Sequence, residues 1–190
     1  MVSDEELLLS FKRGDKAAFE AFVYRYHAPL FGFLQRMLLD AELAEDLVQE
    51  TFIRIIRHVQ KGQLPVRVRP WIYRVALNLC RDYWRSAGYR LESMGLEQIP
   101  EQKDTNASVI ELCERQEERQ AIIRALDQLP DIQKQIVILR FYQDLKLQEI
   151  SETLDIPLGT VKTYLYRALK ALKFRLEEGK EGARREERTS

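Results

Sequence analysis

The stretch LQEISETLDIPLGTVKTYLYRALKALKFRL, Leu147 to Leu176, decides how this chain is read. Its apolar residues Ile150, Leu154, Ile156, Val161, Leu165, Leu169 and Leu172 recur at helical spacing, interrupted by Asp155, Pro157 and Gly159. The pattern predicts a short helix, a bend and a longer helix, folded onto one small core. Pro157 holds the residue before it extended, and Thr160 either caps the second helix or lies in its first turn.

From Thr160 to Arg175 the charges are Lys162, Arg167, Lys170, Lys173 and Arg175, with no acid among them. The whole chain carries 30 bases and 30 acids, so basic charge is concentrated on this element. Thr160, Lys162, Thr163, Tyr166 and Arg167 offer the donors, hydroxyls and ring contact that read base edges in a DNA major groove, and the later cations suit phosphates. A helical hairpin with an ordinary basic face would show the same pattern. The rest of the chain decides between the two.

At 190 residues with 45% hydrophobic content, the chain is long enough for one domain or two small ones, and full disorder is excluded. Residues 1–91 hold 14 bases and 11 acids, residues 92–119 three bases and eight acids, and residues 120–190 13 bases and 11 acids. This basic, acidic, basic order suits two nucleic-acid-facing domains with an acidic join. Cys80 and Cys113 have no CxxC partner and no histidine at ligand spacing, which favours reduced thiols over a disulfide framework or metal site. No run of about 18 apolar residues occurs and the N-terminus opens on acids, so the expectation is a cytoplasmic chain without membrane insertion.

Taken in order, Ser3 to Glu6 has the form of a capping box, with Gly14 ending the helix that follows. Asp15 caps a second helix, expected to be kinked or interrupted at Pro29. Asp40 starts a third, with Leu43, Ala44, Leu47, Val48, Phe52, Ile55 and Ile56 as its buried stripe. Glu42, Glu45, Asp46, Gln49 and Glu50 lie on its other faces, as a solvated surface or a docking surface for a protein partner. Lys61 to Pro70 reads as a basic loop.

From Trp71 another helix is expected, with Ile72, Val75, Ala76, Leu79 and Tyr83 inward. Arg74, Asn78, Arg81 and Arg85 line one stripe, with Trp71, Tyr73, Trp84 and Tyr89 nearby. Arginines that neutralise phosphates, rings that stack on bases and an amide that reads a base edge suit single-stranded nucleic acid, although such rings also serve as core packing. Residues 91–107 read as a flexible linker, followed by an acidic helix over about Val109 to Gln128 and another capped by Asp131, with Ile132, Ile136, Val137, Leu139 and Phe141 inward. The expected fold is all-α, two small helical domains joined by a flexible acidic linker, the second carrying a helix-turn-helix. The boundaries drawn are 1–91, a linker at 92–108, 109–178, and a disordered tail at 179–190.

Four stretches in order, AEDLVQETFIRI at Ala44 to Ile55, PWIYRVALNLCRDYWR at Pro70 to Arg85, LDQLPDIQKQIVILRFYQDLKLQEIS at Leu126 to Ser151 and GTVKTYLYRALKAL at Gly159 to Leu172, resemble the extracytoplasmic-function group of bacterial sigma factors. The resemblance implies a promoter-specificity subunit. Its partners would be core RNA polymerase, through the largest and second-largest subunits, promoter DNA and, as a candidate, an anti-sigma factor. It implies that Asp46, Leu47, Gln49, Glu50 and Ile53 dock on polymerase. It implies that Arg67, Arg69, Trp71, Tyr73, Arg74, Asn78 and Arg81 serve melting and capture of minus-10 DNA. By the same comparison Lys162, Thr163, Tyr166 and Arg167 face minus-35 bases, while Thr160 and Lys170 contact phosphates.

No cofactor, metal site or catalytic residue is implied. Relatives often carry arginine where Lys162 stands and serine at Thr163, and lysine lacks arginine's planar fork, so base preference does not transfer. A conventional regulator using only the C-terminal motif is the alternative, and it predicts a dimer on a two-fold operator. An enzyme is disfavoured, because His27 and His58 have no local triad or metal pattern and the glycines form no phosphate loop.

Overall fold

The computed structural model describes residues 2–94 and 120–186, with the backbone alone described at 88–94 and 178–186. All regular structure among the described residues is helical. The first four helices are α1 (Asp4–Lys12), α2 (Lys16–Leu38), α3 (Ala41–Gln60) and α4 (Val68–Met94). Ser3 and Glu6 form the expected capping box, with Glu6 N donating to Ser3 Oγ at 3.2 Å and Ser3 N to Glu6 Oε2 at 2.8 Å. Asp15 Oδ1 accepts from Ala18 N and Asp40 Oδ1 from Leu43 N, each worth about 1 kcal/mol to its helix.

Two expectations need correction in this half. Of the kink or interruption expected at Pro29, the interruption does not occur, and α2 runs through the proline as one helix. Tyr26, Leu30, Phe33 and Leu34 are buried on both sides of the proline, and side chains of that kind stabilise by roughly 1.5–3 kcal/mol each, enough to offset the missing hydrogen bond. α4 begins at Val68, so the basic loop is shorter than Lys61 to Pro70. Pro70 sits in the first turn, where a helix has no bond for its N–H to make, and Val68 N reaches Glu5 Oε1 of α1 at 3.4 Å. Inward residues on α4 include Leu77 and Cys80 as well as Ile72, Ala76 and Leu79, while Tyr83 is exposed.

The second half contains the helical residues 120–127 (α5), then α6 (Asp131–Phe141), α7 (Leu147–Leu154) and α8 (Leu158–Glu186). Asp131 does not cap α6: Pro130 holds that position with no side-chain bond, and its carbonyl accepts from Gln133 N and Lys134 N. Phe141 and Leu169, expected inside, are exposed. Phe141 ends its helix, and Leu169 is turned off the buried strip that Val161 and Ala168 occupy. The backbone of α8 continues to Glu186, across most of the segment expected as a disordered tail, with Lys173 and Glu177 paired one turn apart at 3.8 Å. Most of the expected linker and acidic helix, residues 95–119, lies outside the described residues.

The two halves pack against each other, α4 on α7 and α2 on α6. Ile72, Tyr73 and Leu77 share one buried cluster with Ile136, Leu139, Leu145, Ile150 and Leu154. In this seam the buried Thr153 hydroxyl has two carbonyls in reach of its one proton, that of Glu149 in its own helix at 2.8 Å and that of Pro70 at 3.2 Å.

Candidate nucleic-acid interface

The turn between α7 and α8 aims the second helix. Asp155 takes the left-handed conformation (φ 57°) that reverses the chain, and Ser151 Oγ donates to the Ile156 carbonyl at 2.6 Å. The Pro157 carbonyl accepts from Thr160 N and Val161 N, so Thr160 lies in the first turn of α8. Lys162, Thr163, Tyr166, Arg167 and Lys170 then fall on one face, all exposed, and Thr160 is half-buried beside them. The Thr163 hydroxyl donates to the Gly159 carbonyl at 3.0 Å, leaving its oxygen free to accept. The N-terminal end of the helix adds its positive dipole to these cations, a combination suited to phosphate beside a groove.

The α4 stripe is differently placed. Arg67 Nη1 lies 2.9 Å from Glu152 Oε1. The Arg69 guanidinium donates to the Gln143 carbonyl, and the Tyr73 hydroxyl donates to Gln143 Oε1 at 2.8 Å. Arg74 donates to the Glu152 carbonyl and stands 4.0 Å from Asp155 Oδ1. Arg81 Nη2 reaches Gln135 Oε1 at 3.4 Å. Asn78 alone of the seven minus-10 candidates is exposed with no side-chain hydrogen bond among the described residues, and Trp71 is half-buried with its ring 4.8 Å from that of His58.

Tyr73, expected beside the stripe as a stacking ring, is buried with 2% of its surface exposed, edge-on to Phe33. Its position on α4 faces the seam, and burial pushes its hydroxyl up to about 12, so it remains a donor at neutral pH. Nothing in the sequence marks Gln135, Gln143, Glu152 or Thr153 as partners of this stripe. Each is polar residue scatter along helices or loops, and the pairing spans more than fifty positions.

On α3, Asp46, Gln49, Glu50 and Ile53 follow one another at three- and four-residue steps along a single face, with Leu47 at its edge. Asp46, Gln49 and Ile53 are exposed, and Glu50 pairs with Arg54 at 3.1 Å. An acidic surface with an apolar contact at its end is therefore open to a protein. No group of His, Cys, Asp or Glu able to hold a metal occurs among the described residues. Burial pushes the Cys80 thiol up to about 12, away from reactive thiolate.

The family model "Sigma-70 region 2" matches residues 22–89 and "Sigma-70, region 4" matches residues 119–172, covering the α4 stripe and the helix-turn-helix in that order. The chain belongs to the extracytoplasmic-function group of sigma factors. Among curated relatives, this sigma factor is 26% identical over 185 residues to the RNA polymerase sigma-H factor of Pseudomonas aeruginosa, covering 89% of this chain and 91% of that one. It is also 26% identical over 178 residues to the ECF RNA polymerase sigma-E factor of Escherichia coli K12, covering 90% and 93%.

Two solved structures share the fold. CnrH in complex with the cytosolic domain of CnrY has a TM-score of 0.70 at 20% identity, over 92% of this chain and 97% of that one. The sigma factor RpoE in complex with the anti-sigma factor NepR from Bartonella quintana has a TM-score of 0.67 at 18% identity, over 84% and 96%. The sigma factor thus works with core RNA polymerase at promoter DNA and directs promoter-specific transcription initiation, in a family of initiation factors rather than enzymes. No described helix is long and apolar enough to cross a membrane.

Proposed function

We propose a division of labour among three surfaces: the Asp46–Ile53 face of α3 docks on core polymerase, α8 reads the minus-35 duplex, and the α4 stripe melts and captures minus-10 DNA. The observation that carries this reading is the acid-free, exposed face of Lys162, Thr163, Tyr166, Arg167 and Lys170 at the start of α8. Good base contacts contribute roughly 1–3 kcal/mol each and base extrusion costs a few, so two recognition surfaces plus polymerase contacts together offset melting. Thr160 and Lys170 hold phosphates. Arg67, Arg69, Arg74 and Arg81 neutralise the melted strand, with Asn78 and Trp71 reading or stacking on its bases.

In this reading, residues 1–91 form the polymerase-binding and minus-10 domain, 109–178 the minus-35 domain, and 92–108 the join. The chain works in the cytoplasm, performs no covalent chemistry itself and needs no cofactor. Both structural relatives were solved in complex with partner proteins, one of them an anti-sigma factor, which supports a regulator of that kind for this chain also.

Promoter selection with reconstituted holoenzyme is the test. Lys162→Ala and Arg167→Ala should change the selected upstream bases, and an unchanged preference would remove α8 as the reader. Asn78→Ala should reduce permanganate reactivity of promoter thymines while core binding persists; equal reactivity in variant and parent would count against the α4 assignment.

A further inference from the structure

A cavity of about 530 Å³ opens where α2, the start of α4 and the α6–α7 loop meet, with no residue of α8 in its wall. That volume lies within the roughly 300–1,000 Å³ that suits small organic ligands. Arg25, Arg36 and Arg69 line it, as do Asp4 and Asp144, so three cations face two anions. Arg25 and Asp4 answer each other, and Asp4 also accepts from the Tyr26 hydroxyl. Arg36 and Arg69 differ. Each uses one nitrogen on a backbone carbonyl, that of Gly32 at 2.6 Å and that of Gln143, and neither pairs with a carboxylate among the described residues. Most of each N–H fork is therefore left without a protein acceptor among them.

Arg36 is also held in place. Its guanidinium lies over the Tyr142 ring, 4.2 Å from the centroid, and a Cβ at Gly32 would come within 2.9 Å of its Nη1. Gly32 thus makes room for a cation fixed on two sides, and Arg36 has no part in the DNA or polymerase surfaces described above. A guanidinium pinned in this way presents a planar fork that matches phosphate oxygens two at a time. Asp144, exposed where the cavity meets solvent, offers an acceptor to a hydroxyl of the same ligand.

We propose that this cavity binds a small phosphorylated metabolite, its phosphate on Arg36 and Arg69 and a sugar hydroxyl on Asp144. Sugar phosphates and nucleoside monophosphates share that chemistry. A ligand seated there touches α2 and α4 from the first half and the α6–α7 loop from the second, so occupancy adds its binding free energy to the packing between them.

The test uses the full chain without polymerase or DNA, with amide NMR following Gly32 and Asp144 and thermal unfolding run alongside. Inorganic phosphate, ribose phosphate and adenosine monophosphate are titrated separately, against sodium chloride at equal ionic strength. The parent should show saturable shifts at both amides and a rising melting temperature with at least one organic phosphate, and weaker binding of inorganic phosphate, which has no hydroxyl to place on Asp144. The tighter of the two organic probes tells the ligand's class. Arg36→Gln should weaken binding about tenfold. Because that change also removes the contact with Tyr142, Gly32→Ala is the second variant. Its methyl displaces the guanidinium while alanine favours the helix, so binding should fall although the ligand-free chain melts no lower. Shifts that sodium chloride reproduces, affinity that survives both variants, or inorganic phosphate binding as tightly as the organic probes each overturn the proposal.

Discussion

The Tyr73 hydroxyl donates to Gln143 Oε1 in a place closed to water, so deleting it leaves a buried acceptor without its donor. Tyr73→Phe should lower stability by about 1–3 kcal/mol, measured by urea unfolding. Because burial raises this hydroxyl above the ordinary tyrosine value, its contribution is complete below about pH 10 and is lost as pH climbs towards about 12. Glu6 has the opposite sign. Its hydrogen bonds from Ser3 hold the carboxylate below its ordinary range, so its contribution is present at neutral pH and fades as acid carries the solution down through the folded value. An NMR titration should find the Glu6 carboxyl moving only part of the way back towards 4.5 in Ser3→Ala, because the Ser3 backbone N–H, the larger cause, remains.

At the scale of the element, α3 offers the sharpest separation of folding from function. Asp46, Gln49 and Ile53 are exposed and away from the buried Ala44, Val48 and Ile55. Asp46→Ala with Ile53→Ala should therefore leave thermal unfolding within about 0.5 kcal/mol of the parent yet weaken capture by core polymerase; undiminished capture would move the docking surface elsewhere. Much of this level was legible beforehand. Ser3, Asp15 and Asp40 announce their helices because a cap is a local bond between neighbours in sequence. The exposed basic face of α8 is legible because its cations recur at helical spacing with no acid between them. Asp131 misled because Pro130 had already set the start of α6, and Tyr73 because periodicity tells which side of a helix faces its own domain. It cannot tell that a second domain will arrive on the other side.

Across the whole molecule, charge arrangement sets how binding responds to salt. Lys170 is exposed on the α8 face, so Lys170→Ala should weaken duplex binding across sequences and reduce the slope of log affinity against log salt by about 1, whereas Lys162→Ala should also alter base preference. Arg67 and Arg74 follow a different rule, being answered by Glu152 and Asp155 from within the chain. That internal pairing bears on search through a genome, where a specific site competes with roughly 10⁶–10⁹ others that attract any free cation. In the closed chain Glu152 and Asp155 offset part of the charge that Arg67 and Arg74, both still partly exposed, would offer to bulk phosphate. Fewer copies are then stranded on irrelevant DNA, and more remain in the pool from which polymerase draws.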